Sequence, residues 1–394
     1  MKHYLLQLFT CTLLLAEPLD LATLFHHTAN SHALKARQAD VNARYLQQSA
    51  AILPDTASLG IESGYADAKT SSNNAVECHV TIEKPLLLAD TDHLFSLLKD
   101  QNKIEKTLEH ARLANATYAA YIDACELQEE LWLLQDALAR GEQMTRLIHT
   151  GMRGGEFDKS AWLRSRLNVR SLTANISTLE SRYRQTLLTL GAQTQLTVDT
   201  LSCSDLPDTI TVPPAERFDN APLMQSLEKS AASADAFRRF SDTAVPAVTL
   251  GAGYDNEMDL QRGIVYAAIP LGGARRDTVR EAARARALAA HESLQAMHAQ
   301  LRAKIDAFLT VQQTRKRNLQ QLNDIRIPEA YEATVLLEAR FKGSEASYLE
   351  YIDSQKTLFS LLEEGVRLRA RALRDEAALL ADLGLFPTIQ KDTQ

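Results

Sequence analysis

A repeat divides the sequence into two similar halves. An alternating segment at 59–65 returns at 250–254, about 190 residues later, and each copy is followed by a second alternating segment and then by a very long helical pattern. Repetition at a fixed offset indicates a duplicated unit. We therefore expect a pseudo-symmetric fold with one repeat over 17–191, a linker over 192–218 and a second repeat over 219–386.

The helical segments are too long to form small independent cores. They are predicted at 21–52, 91–153, 157–190, 220–243, 275–341 and 347–383. In the second segment apolar residues recur in steps of three and four with one polar member, Asn115, and in the last segment a series that starts at Ile352 recurs every seven residues. Both patterns are typical of coiled-coil seams. Pro328 lies inside the fifth segment and should kink that helix, because proline has no backbone N–H to donate.

Strand pairs are predicted between the helices, at about 57–85 and 246–271. From Val76 to Glu83 apolar residues alternate with charged or polar ones, so one face of this strand is apolar. The pattern is typical of strands between lipid and water, and four such strands cannot close a barrel alone, so the membrane interpretation requires several copies of the chain. A water-soluble hairpin that caps a helical bundle would show the same alternation.

Composition and motifs exclude some functions. The formal net charge is -7, and Lys and Arg are interspersed with acids, which argues against a nucleic acid partner. The sequence has no phosphate-binding glycine loop, no His-Glu-x-x-His motif and no Gly-x-Ser-x-Gly motif, so we expect neither enzyme activity nor a cofactor. His26, His27 and His32 lack metal-ligand spacing, and a solvated helix face explains them better than a metal site.

The N-terminus resembles an export signal. Residues 1–16 contain a short apolar run of the length found in secretory signal peptides, and no later segment is long and apolar enough to span a bilayer. Cleavage near Ala16 is expected, with lipidation of Cys11 as the alternative. Residues 387–394 form a polar tail.

The cysteines do not form a recognisable framework. They contain no Cys-x-x-Cys pair and lie in different predicted elements, so neither a zinc site nor a disulfide framework is expected, and a buried thiol is the default for each. The four residues are Cys11, Cys78, Cys125 and Cys203.

One segment carries a specific resemblance to a known family. Residues 339–359 read Ala-Arg-Phe-Lys-Gly-Ser-Glu-Ala-Ser-Tyr-Leu-Glu-Tyr-Ile-Asp-Ser-Gln-Lys-Thr-Leu-Phe. This segment resembles the helix-tip pattern of TolC-like outer-membrane efflux proteins. The shared features are an Arg-aromatic pair, a glycine turn, a Ser-Tyr-Leu-acid sequence, and then a second acid, Gln and Thr-Leu. The resemblance covers the chain from about residue 21 to 386, although Ser344 stands where the family usually has its turn glycine, and 158–163 replaces an acid-rich stretch.

The resemblance implies a mainly α-helical fold with a small transmembrane β part. Three chains would each give four strands to one twelve-stranded barrel and their helices to a coiled-coil tunnel in the periplasm. Such a homotrimer lies in the outer membrane of a Gram-negative bacterium, contacts its lipid, and works with a periplasmic adaptor and an inner-membrane pump, here of the resistance-nodulation-division type. The implied function is passive export of small molecules or metal ions; the alternatives are a type I protein secretion conduit and a soluble periplasmic coiled-coil adaptor.

Two acids are candidates for a gate. Glu350 and Asp353 are three residues apart and share one helix face beside Ile352. Three copies around an axis would form carboxylate rings that favour cations, and the resemblance places acids at these positions in the periplasmic entrance. The alternative is a solvent-exposed ion pair between Asp353 and Lys356.

Two glycine turns at the ends of the long helices are the second candidate site. The resemblance implies that an adaptor docks there, whereas the simpler interpretation is that the glycines only cap helices. The candidate docking residues are Arg153, Gly154, Gly155, Arg340, Lys342 and Gly343.

Overall fold

A computed structural model describes most of the chain. The described residues are 18–50, 52, 58–66, 75–87, 91–243, 247–257, 260–269, 274–343 and 345–387. The predicted signal peptide with Cys11, the polar tail beyond residue 387, Ser344 and nearly all of the first hairpin gap lie outside the described residues.

Eight α-helices account for most of the described chain. Their bounds are α1 Leu21–Asn30, α2 His32–Ala50, α3 Asp92–Gly154, α4 Lys159–Thr194, α5 Pro222–Asp242, α6 Ala274–Gln321, α7 Ile327–Lys342 and α8 Tyr348–Leu383. A short 3-10 helix, Ala215–Phe218, precedes α5. Among the described helices, none combines the length and the apolar content needed to cross a bilayer.

The first predicted helix is wrong in one respect, because it is two helices separated at Ser31. The Ser31 backbone is extended, and its hydroxyl donates to the Thr28 carbonyl (2.8 Å) while it accepts from the Leu34 N–H (3.2 Å). A serine that bonds to nearby backbone groups competes with the helical hydrogen bonds, so α1 ends and α2 begins around one side chain.

The long helix that contains Pro328 is interrupted just before the proline. A π-helical turn at Leu322–Arg326 separates α6 from α7, and the Ile327 N–H donates to the Leu322 carbonyl. Proline at 328 cannot donate to the carbonyl of Asp324, so the ladder must rearrange at this point, and an inserted π turn is one way to do so. The sequence signal is the proline, and the irregularity lies in the turn ahead of it.

The four strands form one antiparallel sheet in the order β1-β2-β3-β4. Their bounds are β1 Ser58–Ala66, β2 Ala75–Leu87, β3 Ala247–Glu257 and β4 Leu260–Ala268. The sequence predicts polar turns at 67–75 and 255–261. The first lies almost wholly outside the described residues, and the second is wrong at both ends, because Asp255 pairs with Arg262 and Glu257 pairs with Leu260 across the hairpin.

The chain divides into two compact units. The first contains Met1–Leu34, His110–Ala215 and Ile305–Gln394, and the second contains Lys35–Glu109 and Glu216–Lys304. In the first, Tyr121, Ile122 and Leu190 are fully buried in a core shared by α1, α3, α4 and α8. In the second, Leu94 and Leu98 pack with aromatic residues of α5.

The predicted coiled-coil seams lie in these cores. Asn115 is 1% exposed, and its side-chain amide donates to the carbonyls of Ala111 (2.8 Å) and Leu385 (2.7 Å). The polar seam residue therefore joins α3 to the segment after α8. In α8, Ile352 and the seam residues that follow it are buried or half-buried.

The expectation that no cysteine is paired is wrong. Cys125 of α3 and Cys203 of the linker form a disulfide across 78 residues of sequence. The linker is also held by a short parallel bridge between Leu19 and Leu201 and by a hydrogen bond from the Leu21 N–H to Asp205 (3.1 Å). Neither cysteine has a neighbour in sequence that marks the pair, so only the fold brings the two together.

Candidate functional site

The first tip is the turn at 151–158, and it needs a glycine. Gly155 has φ +83, a left-handed conformation that residues with a Cβ rarely adopt. The Glu156 N–H donates to the Gly151 carbonyl (2.8 Å), which is the closing bond of a Schellman turn. Asp158 then caps α4 by accepting the backbone N–H three residues later at 2.7 Å.

The second tip is the turn at 341–347, and its glycine is conformationally ordinary. Gly343 has φ -83 and ψ 4, and a Cβ added there would meet its nearest atoms at 3.6 Å. The Glu345 N–H donates to the Arg340 carbonyl (2.8 Å) and closes the end of α7. A side chain can therefore be placed at Gly343 without strain.

Glu350 begins α8 as one half of a capping box. The Ser347 backbone N–H donates to Glu350 Oε2 at 2.8 Å, and the Glu350 N–H donates to Ser347 Oγ at 3.3 Å. The Ser347 N–H, and after it the Ser347 hydroxyl, hold the pKa of the Glu350 carboxyl below its ordinary value, with a smaller contribution from Arg340. Sequence reasoning assigned this acid to a gate and missed its local structural role.

Asp353 differs from Glu350 although it lies only one turn away. Its side chain is exposed, and within the described part of the chain it has no charged partner, so the alternative ion pair with Lys356 is not formed. Ile352 beside it is buried among the seam residues. Of the two predicted gate acids, Asp353 is therefore the one whose carboxylate is not held by a described residue.

An aromatic cluster joins the two tips and was not predicted. Phe341 is 1% exposed, and its ring centroid lies 5.0 Å from that of Phe157, 5.8 Å from that of Tyr351 and 6.0 Å from that of Tyr348. Burial raises the pKa of both tyrosines to about 12. A signal was available, because Phe157 follows the first turn glycine by two residues and Phe341 precedes Gly343 by two.

The basic tip residues remain on the surface. Arg153 and Arg340 are exposed, and Lys342 donates to Glu338 of the preceding turn at 2.6 Å. Gly154 has no atom within 4 Å of an added Cβ. The six predicted docking residues therefore lie at or next to the two turns that the aromatic cluster joins.

The sheet has two chemically different faces. The register aligns Leu59, Ile82, Ala252 and Val265 on one of them, and this face is exposed: Ile61 by 66% and Val265 by 86%. An apolar sheet face that remains open in a single chain is characteristic of a surface covered by lipid or by another protein. The opposite face carries His79, Glu83 and Asp255.

Comparison with known proteins gives one relative by sequence. No protein family model matches the chain. The pyoverdine export outer membrane protein OpmQ of Pseudomonas putida is 22% identical over 314 residues, a match that covers 72% of this chain and 64% of that protein. The matched region is thus less than two thirds of the relative's length.

Solved structures give closer likenesses in fold. The outer membrane protein VceC of Vibrio cholerae has a TM-score of 0.74 at 15% identity, over 93% of this chain and 96% of that one. The open state of the outer membrane channel MtrE of Neisseria gonorrhoeae has a TM-score of 0.74 at 14% identity, over 95% of this chain and 90% of that one. The outer membrane channel CmeC of Campylobacter jejuni has a TM-score of 0.71 at 12% identity, over 95% of this chain and 87% of that one. The chain therefore has the fold of the TolC-like outer-membrane channels, the family that its second tip resembles.

Proposed function

We propose that this chain is the outer-membrane channel subunit of a tripartite export system in a Gram-negative bacterium. It forms a passive homotrimeric conduit from the periplasm to the exterior and has no enzyme activity of its own. The observation that carries the proposal is the four-stranded sheet with one exposed apolar face. A soluble periplasmic adaptor is a poorer fit, because it would leave that face in water.

The edges of the sheet support a shared barrel. β1 and β4 are the two outer strands of the sheet within one chain. A sheet edge cannot remain open in hydrocarbon, because each unpaired backbone group there costs several kcal/mol. Pairing of β1 with β4 of the next chain, repeated three times, gives a closed barrel of twelve strands, and the helices continue it as a tunnel.

Site-directed crosslinking tests this arrangement. Val265→Cys is combined with Leu59→Cys or Ile61→Cys in a Cys78→Ser background, and membranes are treated with a bismaleimide of about 8 Å span. This reagent bridges neighbouring strands, about 4.8 Å apart, but not strands three positions apart, about 14 Å. Covalent trimers in the outer-membrane fraction are the expected product. Crosslinks confined to monomers, or a protein that leaves the membrane on carbonate washing, would refute the proposal.

A matched pair in the two central strands serves as the control. Ile82 and Ala252 are cross-strand partners within one chain. Ile82→Cys with Ala252→Cys should therefore crosslink without any increase in molecular mass. The control establishes that reagent reaches the apolar face in the folded protein.

The partners and the cargo are part of the same proposal. The exposed turns with Arg153 and Arg340 dock a periplasmic adaptor, which links the channel to an inner-membrane pump of the resistance-nodulation-division type. The name of the Pseudomonas putida relative concerns pyoverdine, a small molecule, and this favours small-molecule export over protein secretion.

Asp353 is the principal gate residue in this proposal. Single-channel conductance in planar bilayers should rise in Asp353→Asn, because three carboxylates leave the narrow end of the tunnel. Glu350→Gln is the comparison, and its smaller effect is expected because that carboxylate is held by Ser347. Equal conductance in the wild type and Asp353→Asn would reject the gate.

A further inference from the structure

The polar face of the sheet contains a row of charged residues that crosses all four strands. The register aligns Glu62, His79, Asp255 and Arg262. Asp255 lies at the centre and is 6% exposed; it accepts from Arg262 Nε at 3.1 Å and contacts the His79 ring on its other side. The charge of this central carboxylate is therefore balanced by a neighbouring guanidinium.

A second charged position lies four residues along β2, in the row that contains Glu83, Gly251 and Tyr266. The Tyr266 hydroxyl donates to the Glu83 carboxylate. To reach it, the tyrosine ring crosses Gly251, where an added Cβ would lie 2.2 Å from the ring. Ser58 on the far side donates weakly to the same carboxylate (3.5 Å). Glu83 is thus held by neutral groups, and among the described residues no cation pairs with it.

Small residues occupy three of the four positions in the row between these two rows. Gly60, Thr81 and Gly253 are cross-strand neighbours there, and Ile264 of β4 completes the row. A Cβ at Gly60 would lie 2.6 Å from the Thr81 hydroxyl, so the threonine fills the place of a side chain there. On β1, β2 and β3 the charged rows are therefore separated by small side chains, and on β4 they are separated by Ile264.

The described side chains of this face do not balance in charge. They include three carboxylates, Glu62, Glu83 and Asp255, against the single guanidinium of Arg262. Glu62 is exposed and, within the described ranges, forms no ion pair, and its row neighbour His79 contacts Asp255 instead. The unbalanced negative charge thus comes from Glu62 and Glu83, while the Asp255 and Arg262 pair holds the strands in register.

We propose that Glu62 and Glu83 form a charge filter inside the barrel that favours cationic and zwitterionic solutes over anions. The inference rests on the proposed function, because it requires three copies of the polar face to line one water-filled lumen. Rings of carboxylates in a narrow pore concentrate cations and repel anions. The filter is separate from the gate, since these residues belong to the sheet and Asp353 belongs to a helical tip.

Ion selectivity of the purified trimer provides the test. Reversal potentials are measured in planar bilayers under a potassium chloride gradient for the wild type, Glu62→Gln, Glu83→Gln and the double variant. We expect a potassium-to-chloride permeability ratio above one in the wild type and a fall of about threefold or more toward unity in the double variant. The same series in an Asp353→Asn background removes the contribution of the tip.

Lys84 offers a matched control next to Glu83. It follows Glu83 in sequence but lies on the apolar face, where its side chain is exposed. Lys84→Gln changes the net charge by one unit, as Glu83→Gln does but with the opposite sign, and should leave the permeability ratio unchanged. A shift in Lys84→Gln with none in Glu83→Gln would show that the faces are reversed and would overturn the filter.

The outcomes separate the two proposals. Heat-modifiable trimers on gels establish that each variant has assembled. If the wild-type trimer forms no channels, the proposed function itself fails. If it forms channels whose permeability ratio is the same in the wild type and the double variant, only the filter is wrong.

Discussion

The two tips carry their turn glycines at different positions. In the first, left-handed Gly155 directly precedes Glu156, whose N–H bonds to the Gly151 carbonyl; in the second, Gly343 has an ordinary backbone and lies two residues before Glu345, whose N–H bonds to the Arg340 carbonyl. The second tip also has a capping box between Ser347 and Glu350. Residues of both tips pack against the buried ring of Phe341. A glycine in a turn is therefore evidence of a backbone requirement only where φ demands it, and Gly155 and Gly343 are not equivalent positions although each lies in a tip.

Loss of the buried aromatic ring that contacts both tips should destabilise the protein most. Phe341→Ala removes a buried ring that contacts residues of both tips, and such truncations cost about 3 to 5 kcal/mol. Hydrogen–deuterium exchange should therefore increase in peptides from both turns. Tyr331→Ala, at an exposed position of α7, is the control and should leave both turns protected. Faster exchange in the second tip alone would contradict the shared support.

Loss of the disulfide, which ties only the first tip and its two helices, should have the next largest effect on stability. Cys125→Ala or Cys203→Ala should each lower the free energy of unfolding by about 2 to 4 kcal/mol, because the unfolded chain gains freedom when a long loop opens. The thermal midpoint of the trimer in detergent measures it. A reductant should lower the midpoint of the wild type but not of the double alanine variant. If the single variants match the oxidised wild type, the covalent link is energetically irrelevant.

A smaller effect separates the two turn glycines. Gly155→Ala places a Cβ in a left-handed conformation at a cost of about 1 to 2 kcal/mol, whereas Gly343→Ala should change stability by less than about 0.5 kcal/mol. Chemical unfolding of the two variants measures the contrast. Equal costs would mean that Gly155 and Gly343 do not differ in their backbone requirement.

This contrast also determines how adaptor docking should be tested. A bulky residue at Gly155 would distort the turn itself, but bulky residues at Gly154 or Gly343 would change only the surface. We expect crosslinking to a periplasmic adaptor to fall in Gly343→Gln while trimer stability is kept. Crosslinking that survives substitutions at both Gly154 and Gly343 would count against docking at the tips.

The smallest effect concerns the capping box. Glu350→Gln should speed amide exchange in the first turn of α8, and Glu345→Gln, an exposed acid that is not part of the box, is the control. Because the folded-state pKa of Glu350 is depressed below 4.5, its contribution to stability is present above that pH and is lost as the pH falls through the depressed value. The difference between wild type and Glu350→Gln should therefore vanish in acid. A difference that persists at low pH would rule out the carboxylate as its source.

Much of the fold could be predicted because its signals are periodic. Seam residues such as Asn115 and Ile352 repeat at helical intervals, and the alternation in β2 fixes which face is apolar, so the fold class and the family resemblance are confirmed. Competition between side-chain and backbone hydrogen bonds was harder to predict. Ser31 ends α1 because its hydroxyl bonds to the Thr28 carbonyl. The least predictable feature was the pairing of Cys125 with Cys203, since contacts across 78 residues leave no trace in local spacing.

The candidate site was predicted in position more than in role. The residues of both tips lie at the turns where the sequence put them. The hydrogen-bond partner of each side chain could not be predicted from the sequence. Glu350 and Asp353 are both acids on one helix face, yet Ser347 bonds to the Glu350 carboxylate while the Asp353 side chain is exposed. The gate and docking roles remain predictions that the experiments above address.

The disulfide has a mechanical consequence. It closes a covalent ring that contains the C-terminal half of α3, the whole first tip and all of α4. In the other half no such tether is present among the described residues, and the π turn before Pro328 gives that long helix a weak point. We therefore expect the hairpin of α3 and α4 to stay closed under strain and the hairpin of α7 and α8 to deform first.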